Sequence, residues 1–325
     1  MRLLQVSDSC FAAVSDGHGA CDANSGLINL GGGVVIGTQS DLHHARRMIE
    51  LFGRVWPGMP RRVVNTRADG GHVWGNQLFE GAEIIAHRAV PGRMKEGADL
   101  RAFQKLLDDA SRPLPRLRLR ALHPGALAAA RQLQRDYDFD GITPVPPTTL
   151  FEDRLVLDLD GTEAHLIHVG PSHQAGDTIV HVPGEGVVFA GDVIFRDCTP
   201  MSGAGTHAGW LQILDHIIWL DPEVIVPGHG ALCGIEGAME MRAYLEHVRE
   251  EASRCFARGL TSLQASKRID LGPYGGWRGP ARLYVNVERA YREFRNEPAD
   301  GPWDMTATFD AIYEVAKARG CEVEF

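Results

Sequence analysis

Hydrophobic and polar positions along the chain change rhythm four times. Residues 1–40 carry short apolar runs bounded by glycine, "RLLQVSDSCFAAV", "SGLINL" and "GGGVVIGTQ", which predict strands joined by tight turns. "SDLHHARRMIELF" follows, with Leu42, Ala45, Met48, Ile49 and Phe52 at helical spacing behind a Ser/Asp cap. "RRVVNT" then reads as a buried strand, "HVWGNQLF" as a helix start and "AEIIAH" as the next strand. Residues 91–140 lose the β pattern. They are rich in Leu, Ala and Arg, with prolines as punctuation, and predict a helical insertion placed as a lid over a site. Within it, "RPLPRLRLR" alternates leucine with arginine and is expected to be a half-buried strand or amphipathic segment rather than a nucleic-acid patch. Strands return from 149: "TLFEDRLVLDLDG", "EAHLIHVG", "DTIVHVP" and "GVVFAGDVIF". A helix, "AGWLQILDHIIWL", leads to a last buried strand, "EVIVPGHG". From 236 onward the pattern is helical. The expected organisation is an α/β domain over 1–235, with the insertion at about 91–140, and a helical extension over 236–325 packed on it.

Composition narrows the function. A net charge of −9 argues against a nucleic-acid surface, which needs concentrated Lys and Arg. One arginine in a cleft would still suffice for a small anion. No window approaches the roughly 18 apolar residues of a membrane span, and the N-terminal apolar run is too short for a secretory signal. A cytoplasmic protein without nucleic-acid or membrane partners is expected. The six cysteines, Cys10, Cys21, Cys198, Cys233, Cys255 and Cys321, are scattered with no CxxC and are expected to be thiols. Oligomeric state is not legible.

Four polar signals each follow an apolar β run: "TRADGGHVWGN" with Asp69 and His72, "VGPSHQAGDT" with His173, "VVFAGDVIF" with Asp192, and "VIVPGHG" with His229. Strand ends on one edge of a sheet are where a fold gathers side chains for a site. Imidazole and carboxylate are the ligands of zinc and also suit iron or manganese. Each histidine alone could equally be structural; the four signals in this order are far more specific.

The ordered set resembles the metallo-β-lactamase-fold hydrolases over roughly residues 5–235. That family carries HxHxDH in a loop after a strand, then a His, an Asp in a "GD" pair, and a late His in "GHG". The matching positions here are Arg67, Asp69, Gly71 and His72, then His173, Asp192 and His229. The tail "GPYGGWRGPARLYVNVERAYREF" also resembles a bacterial subset, some of whose members act on polyketide thioesters. The resemblance implies an αββα sandwich, two sheets face to face with helices outside and the metal site at one edge.

The loop departs from that pattern. Arg67 and Asp69 stand where two ligand histidines are expected, and Gly71 where a ligand Asp is expected. A guanidinium, protonated at any relevant pH, therefore sits where a cation used to be held. Repulsion between charges about 4 Å apart is on the order of 4 kcal/mol at an effective dielectric of 20, so a second ion should be weak or absent. Three arrangements are open. One metal is held by His72, Asp192 and His229, with His173 or water completing the shell. Alternatively, Asp69 becomes a ligand and a lopsided two-metal site survives. In the third, Arg67 pairs with Asp69 or Asp192 and the cation is replaced by a salt bridge. Zinc, one per chain, is the expected ion in the first; iron(II) or manganese(II) also suits the donors, and the third arrangement holds none.

Loss of the carboxylate at Gly71 leaves the attacking water without its expected partner. Asp69 is the nearest replacement base, and His207 in "GAGTHAGW" a weaker one. Arg67 has two readings, a clamp for a substrate carboxylate or oxyanion and a salt bridge to Asp69. Cys198 reads as a buried thiol, His43 and His44 as surface or packing residues, and His165 and His168 as structural partners in a strand. Trp74 and Asn76 are expected to pack and cap the helix that presents His72. The expected function is metal-dependent hydrolysis of a small acyl substrate, an ester, lactone or thioester. The alternative is a metal-poor protein that binds an anionic ligand or performs non-hydrolytic chemistry, cyclisation or mononuclear-iron oxygenation.

Overall fold

The fold comes from a computed structural model that describes residues 1–17, 22–96, 98–201 and 203–325. The first sheet has seven strands in sequence order: β1 (Arg2–Gln5), β2 (Cys10–Val14), β3 (Ser25–Ile28), β4 (Val34–Ile36), β5 (Arg62–Asn65), β6 (Glu83–His87) and β7 (Thr149–Phe151). Strands β1 to β4 pair antiparallel and β4 to β7 parallel. The second sheet runs β12-β11-β10-β9-β8, with β8 (Arg154–Asp158), β9 (Glu163–His168), β10 (Thr178–Val182), β11 (Val187–Phe195) and β12 (Val224–His229). Only β11 and β12 are parallel in it. Two expected single strands are each divided. "RLLQVSDSCFAAV" is a hairpin, and "TLFEDRLVLDLDG" ends the first sheet with β7 and begins the second with β8.

The sheets face each other across one apolar layer. Val14, Ile28, Ile36, Val64 and Ile85 come from the first sheet, Leu166, Val180, Val187, Phe189 and Val226 from the second, all buried. At about 25 cal/mol per Å² of apolar surface removed from water, this layer is the main force holding the sheets together. Helices cover both outer faces. Helix α1 (Leu42–Phe52) packs Met48, Leu51 and Phe52 on the first sheet, and its N-cap Asp41 accepts from His44 N (2.7 Å). On the second sheet lie α7 (His207–Leu220), α8 (Ile235–Ala257) and α10 (Leu283–Phe294), contributing Trp210, Tyr244 and Leu283 to the same cluster as Ile179 and Val188.

The insertion is helical: α3 (Val90–Glu96), α4 (Ala98–Ser111), α5 (Pro113–Leu122) and α6 (Pro124–Asp136). The segment "RPLPRLRLR" is a helix rather than the half-buried strand that is one of its two expected forms, and its Leu119 is partly buried. It forms α5 with no buried residue, and Leu114 is 80% exposed. Prolines at its first turn favour helix entry over strand pairing. Helix α6 packs Ala126 and Ala129 against Phe309, Ile312 and Val315 of α11 (Met305–Arg319), so insertion and tail meet beside the site edge. The short α2 (Gly70–Val73) and α9 (Ser262–Ser266) complete the described helices. None of these is long and apolar enough to cross a membrane. The described cysteines Cys10, Cys198, Cys233, Cys255 and Cys321 are free thiols; Cys21 lies outside the described residues.

Candidate metal centre

Four chain segments deliver the site at one edge of the sandwich. The loop after β5 carries Arg67 and Asp69, and α2 then presents His72. The loop after β9 carries His173, β11 carries Asp192, and β12 ends on His229. The first two loops are tied together by Thr178 N donating to Thr66 O (2.9 Å).

Asp192 is the centre of the arrangement. It is buried, with His72 Nε2 3.2 Å from its Oδ1 and His229 Nε2 donating to its Oδ2 (3.1 Å). Arg67 Nη1 is in direct contact with the same Oδ2. Arg67 Nε lies 3.3 Å from Asp69 Oδ2, so one guanidinium spans two carboxylates. Asp69 also accepts from Gln174 Nε2 and stands 3.8 Å from His173 Nδ1. Burial is opposed by Arg67 and the two histidines, and the Asp192 carboxyl is held well below its usual range. Burial, reinforced by Arg67, pushes His72 and His173 down to about 4, so both are neutral near pH 7.

Among the described residues, His72, Asp192 and His229 form a group whose ligand atoms all lie within 4.8 Å of one another. Donors around a four-coordinate zinc are about 3.3 Å apart, given bonds of about 2.0–2.1 Å. His72 Nε2 and His229 Nε2 lie at about that spacing from the two different oxygens of Asp192, 3.2 Å from Oδ1 and 3.1 Å from Oδ2. His72 Nε2 and Asp192 Oδ1 are buried and face each other without hydrogen-bond alignment. Two such atoms are costly to bury without a partner, and a bound cation is one that would satisfy both. The three residues fit one metal ion. His173 and Asp69, 3.8 Å apart, fall outside that group.

Supporting residues explain why the donors converge. Asp177 Oδ2 accepts from Ser172 Oγ (2.7 Å), His173 N (2.6 Å) and Gln174 N (2.6 Å), fixing the His173 loop. His168 stacks on His87 with centroids 3.6 Å apart, and its Nε2 donates to Ala175 O (2.8 Å) in that loop. Asn24 Nδ2 donates to Pro227 O (2.9 Å) and Gly230 O (2.8 Å), clamping both sides of His229. Thr38 N donates to His72 O (2.8 Å), while Asn76 bonds to Thr38, Asn65 and Val145 O. A side chain at Gly75 would collide with Thr38 O and the Ala45 Cβ, so α2 seats this closely only with glycine there. Sequence reasoning singled out Asn76 but missed Asp177, Asn24 and His87. Asp177 had a local signal, an acid closing a turn four residues after His173; Asn24 and His87 act across long sequence separations and had none.

Other candidates lie elsewhere. His207 is not at the cleft as a base. It is buried at the first turn of α7, where burial together with Arg249 and Arg289 pushes it down to about 3. Burial pushes the Cys198 thiol up to about 11, which disfavours a thiolate nucleophile. His44 pairs with Asp41, and His165 with Glu163, away from the donors.

A cleft of about 390 Å³ opens over Arg67, Asp69, His173, Asp192 and His229. Its walls are largely apolar: Trp74, Phe103 from α4, Phe195, and Trp303 and Phe309 from the tail. Arg292 lies over the Trp303 ring (4.2 Å to the centroid). Buried Arg289 donates to Gly203 O (2.7 Å) and Ala299 O (2.8 Å), holding two wall segments.

Residues 18–229 match the sequence profile of the metallo-beta-lactamase superfamily. A metallo-beta-lactamase family protein of Thermus thermophilus is similar in structure, with TM-score 0.64, 17% identity, and 90% of this chain and 95% of that chain covered. The stereoselective inverting sec-alkylsulfatase Pisa1 from Pseudomonas sp. is similar at TM-score 0.64 and 16% identity, over 90% of this chain and 50% of that one. At these identities the likeness is one of fold. In sequence, the chain is 32% identical over 91 residues to the 2,4-dinitroanisole O-demethylase subunit alpha of Nocardioides sp. (strain JS1661). That alignment spans 28% of this chain and 27% of the relative.

Proposed function

The chain belongs to the metallo-β-lactamase superfamily, and on that premise we propose a hydrolase of small apolar acyl compounds (esters, lactones or thioesters) that holds one metal ion, zinc first, on His72, Asp192 and His229. The observation that carries this reading is the convergence of these three donors, His72 and Asp192 buried and His229 partly so, with Asp192 and His229 lining a largely apolar cleft. When bound, such an ion supplies Lewis acidity, activating water and polarising a carbonyl. Asp69, at the cleft wall and partly exposed, is the carboxylate placed to take a proton from the attacking water. Gln174 and Arg67 fix its orientation. Trp74, Phe103, Trp303 and Phe309 receive the apolar part of the substrate and exclude bulk water. A relative named for 2,4-dinitroanisole and a neighbour named for sec-alkyl sulfates suit a cleft of that polarity.

Metal content per chain, by plasma mass spectrometry on untagged protein purified without chelator, tests the proposal. About one zinc or iron per chain, lost in His229→Ala, together with hydrolysis of nitrophenyl esters, is the expected result. No metal after zinc and iron are both offered would overturn it. The Arg67–Asp192 contact favours the second reading in that case, a salt-bridged cleft that binds an anionic ligand.

A further inference from the structure

We infer that Arg67 is a resident cation of this centre: its guanidinium occupies the place of a second metal ion, bridges Asp192 and Asp69, and sets how tightly the His72–Asp192–His229 group holds an ion. The inference rests on the proposed function only in taking that group as a metal site.

The geometry is that of a bridging cation. One face of the guanidinium meets Asp192 through Nη1, and Nε meets Asp69 at 3.3 Å. Both nitrogens are buried, and neither contact is aligned as a hydrogen bond, so the attraction is between charges. A guanidinium keeps its charge at every working pH, unlike a histidine or lysine at the same place. Its carboxylates are held from other sides as well, Asp192 by His229 and Asp69 by Gln174.

Charge then decides how many ions fit. By formal charge, Arg67, Asp69 and Asp192 together carry one net negative charge. One divalent ion reverses that to one positive charge, and a second would raise it to three in a buried space. Asp192 is also contested, because Arg67 and His229 share Oδ2 while Oδ1 is left towards His72. An incoming ion must draw the carboxylate away from a fixed positive neighbour. Arg67 should therefore limit the site to one ion and weaken the hold on it.

Zinc titrations of metal-free protein against a chromophoric chelator test this, with wild type compared with Arg67→Met, Arg67→Lys and Arg67→His. Near-ultraviolet circular dichroism checks that each variant is folded. Arg67→Met is expected to bind its first zinc at least tenfold more tightly than wild type, and Arg67→Lys to stay within about threefold of wild type. Arg67→His, which returns a ligand and removes the fixed charge, is expected to bind more than one equivalent. Equal or weaker zinc binding by Arg67→Met overturns the inference. If Arg67→Met does not fold, a single equivalent at wild-type affinity in Arg67→His overturns it instead. The two readings fail separately. Zinc bound by Arg67→Met but not by wild type sinks the hydrolase and keeps the resident cation. Zinc bound equally by both keeps the hydrolase and sinks the resident cation.

Discussion

Gly228 and Asp192 touch across parallel strands β12 and β11. A Cβ at 228 would fall on Asp192 Oδ1 and lie 2.6 Å from the Gly191 carbonyl carbon. One obstacle is backbone and cannot swing aside. Gly228→Ala is therefore expected to destabilise the fold by about 1–3 kcal/mol, the usual range for overpacking. It should also displace Asp192 and remove metal binding. Thermal unfolding together with metal content checks both parts; an unchanged zinc affinity would contradict the account.

Asp192→Asn should be costly even without metal. It strips the buried Arg67 of its nearest counter-charge, and breaking a buried pair from one side costs about 3–5 kcal/mol. Arg67→Met/Asp192→Asn should recover part of that loss, because no charge is then left unpaired between them. A double-mutant cycle by denaturant unfolding measures this coupling, and additive losses would mean the contact carries none of the stability.

Asp177 gives a pH signature. Burial raises its carboxyl from 3.8 to about 6, outweighing the backbone and Ser172 hydrogen bonds that lower it. A carboxyl with a raised folded pKa contributes stability that is fully present below its unfolded value and lost as pH rises through the folded one. Asp177→Asn keeps one oxygen for the three donors and does not titrate. The variant should therefore gain stability relative to wild type between pH 4 and 7, read as the difference in Tm. Asp177→Ala offers no acceptor and should release the His173 loop, lowering Tm at every pH.

His207 has the opposite sign. Its folded pKa is pushed down to about 3 by burial and by Arg249 and Arg289, against 6.5 ordinarily. Its contribution is present above pH 6.5 and is lost as pH falls towards 3. His207→Phe removes one such proton uptake. The fall in unfolding free energy below pH 6.5 should flatten by about 1.4 kcal/mol per pH unit. A slope equal to that of wild type would place the titrating proton elsewhere.

The sequence alone marked most of the strands and helices and the ordered polar signals at Arg67, Asp69, His72, His173, Asp192 and His229. Short apolar runs bounded by glycine mark most of the strands, and glycine beside His229 and Asp192 marks where the chain must turn or pack closely. It also exposed Arg67 and Gly71 as departures, because residue type is read directly. What it left open was the use of Arg67, and there tertiary structure decided. Two carboxylates on separate segments, Asp69 and Asp192, are brought to one guanidinium, and no local spacing encodes that meeting. The same holds for Asn24, which grips the His229 turn from 203 and 206 residues away, and for His87 stacked on His168. Helix α5 shows the limit in reverse. Its leucine–arginine alternation satisfies a strand pattern, but burial depends on what packs against it, and the fold leaves Leu114, Leu117 and Leu122 exposed while Leu119 is partly buried. Which charges and lone pairs meet is fixed only when the two sheets close on each other.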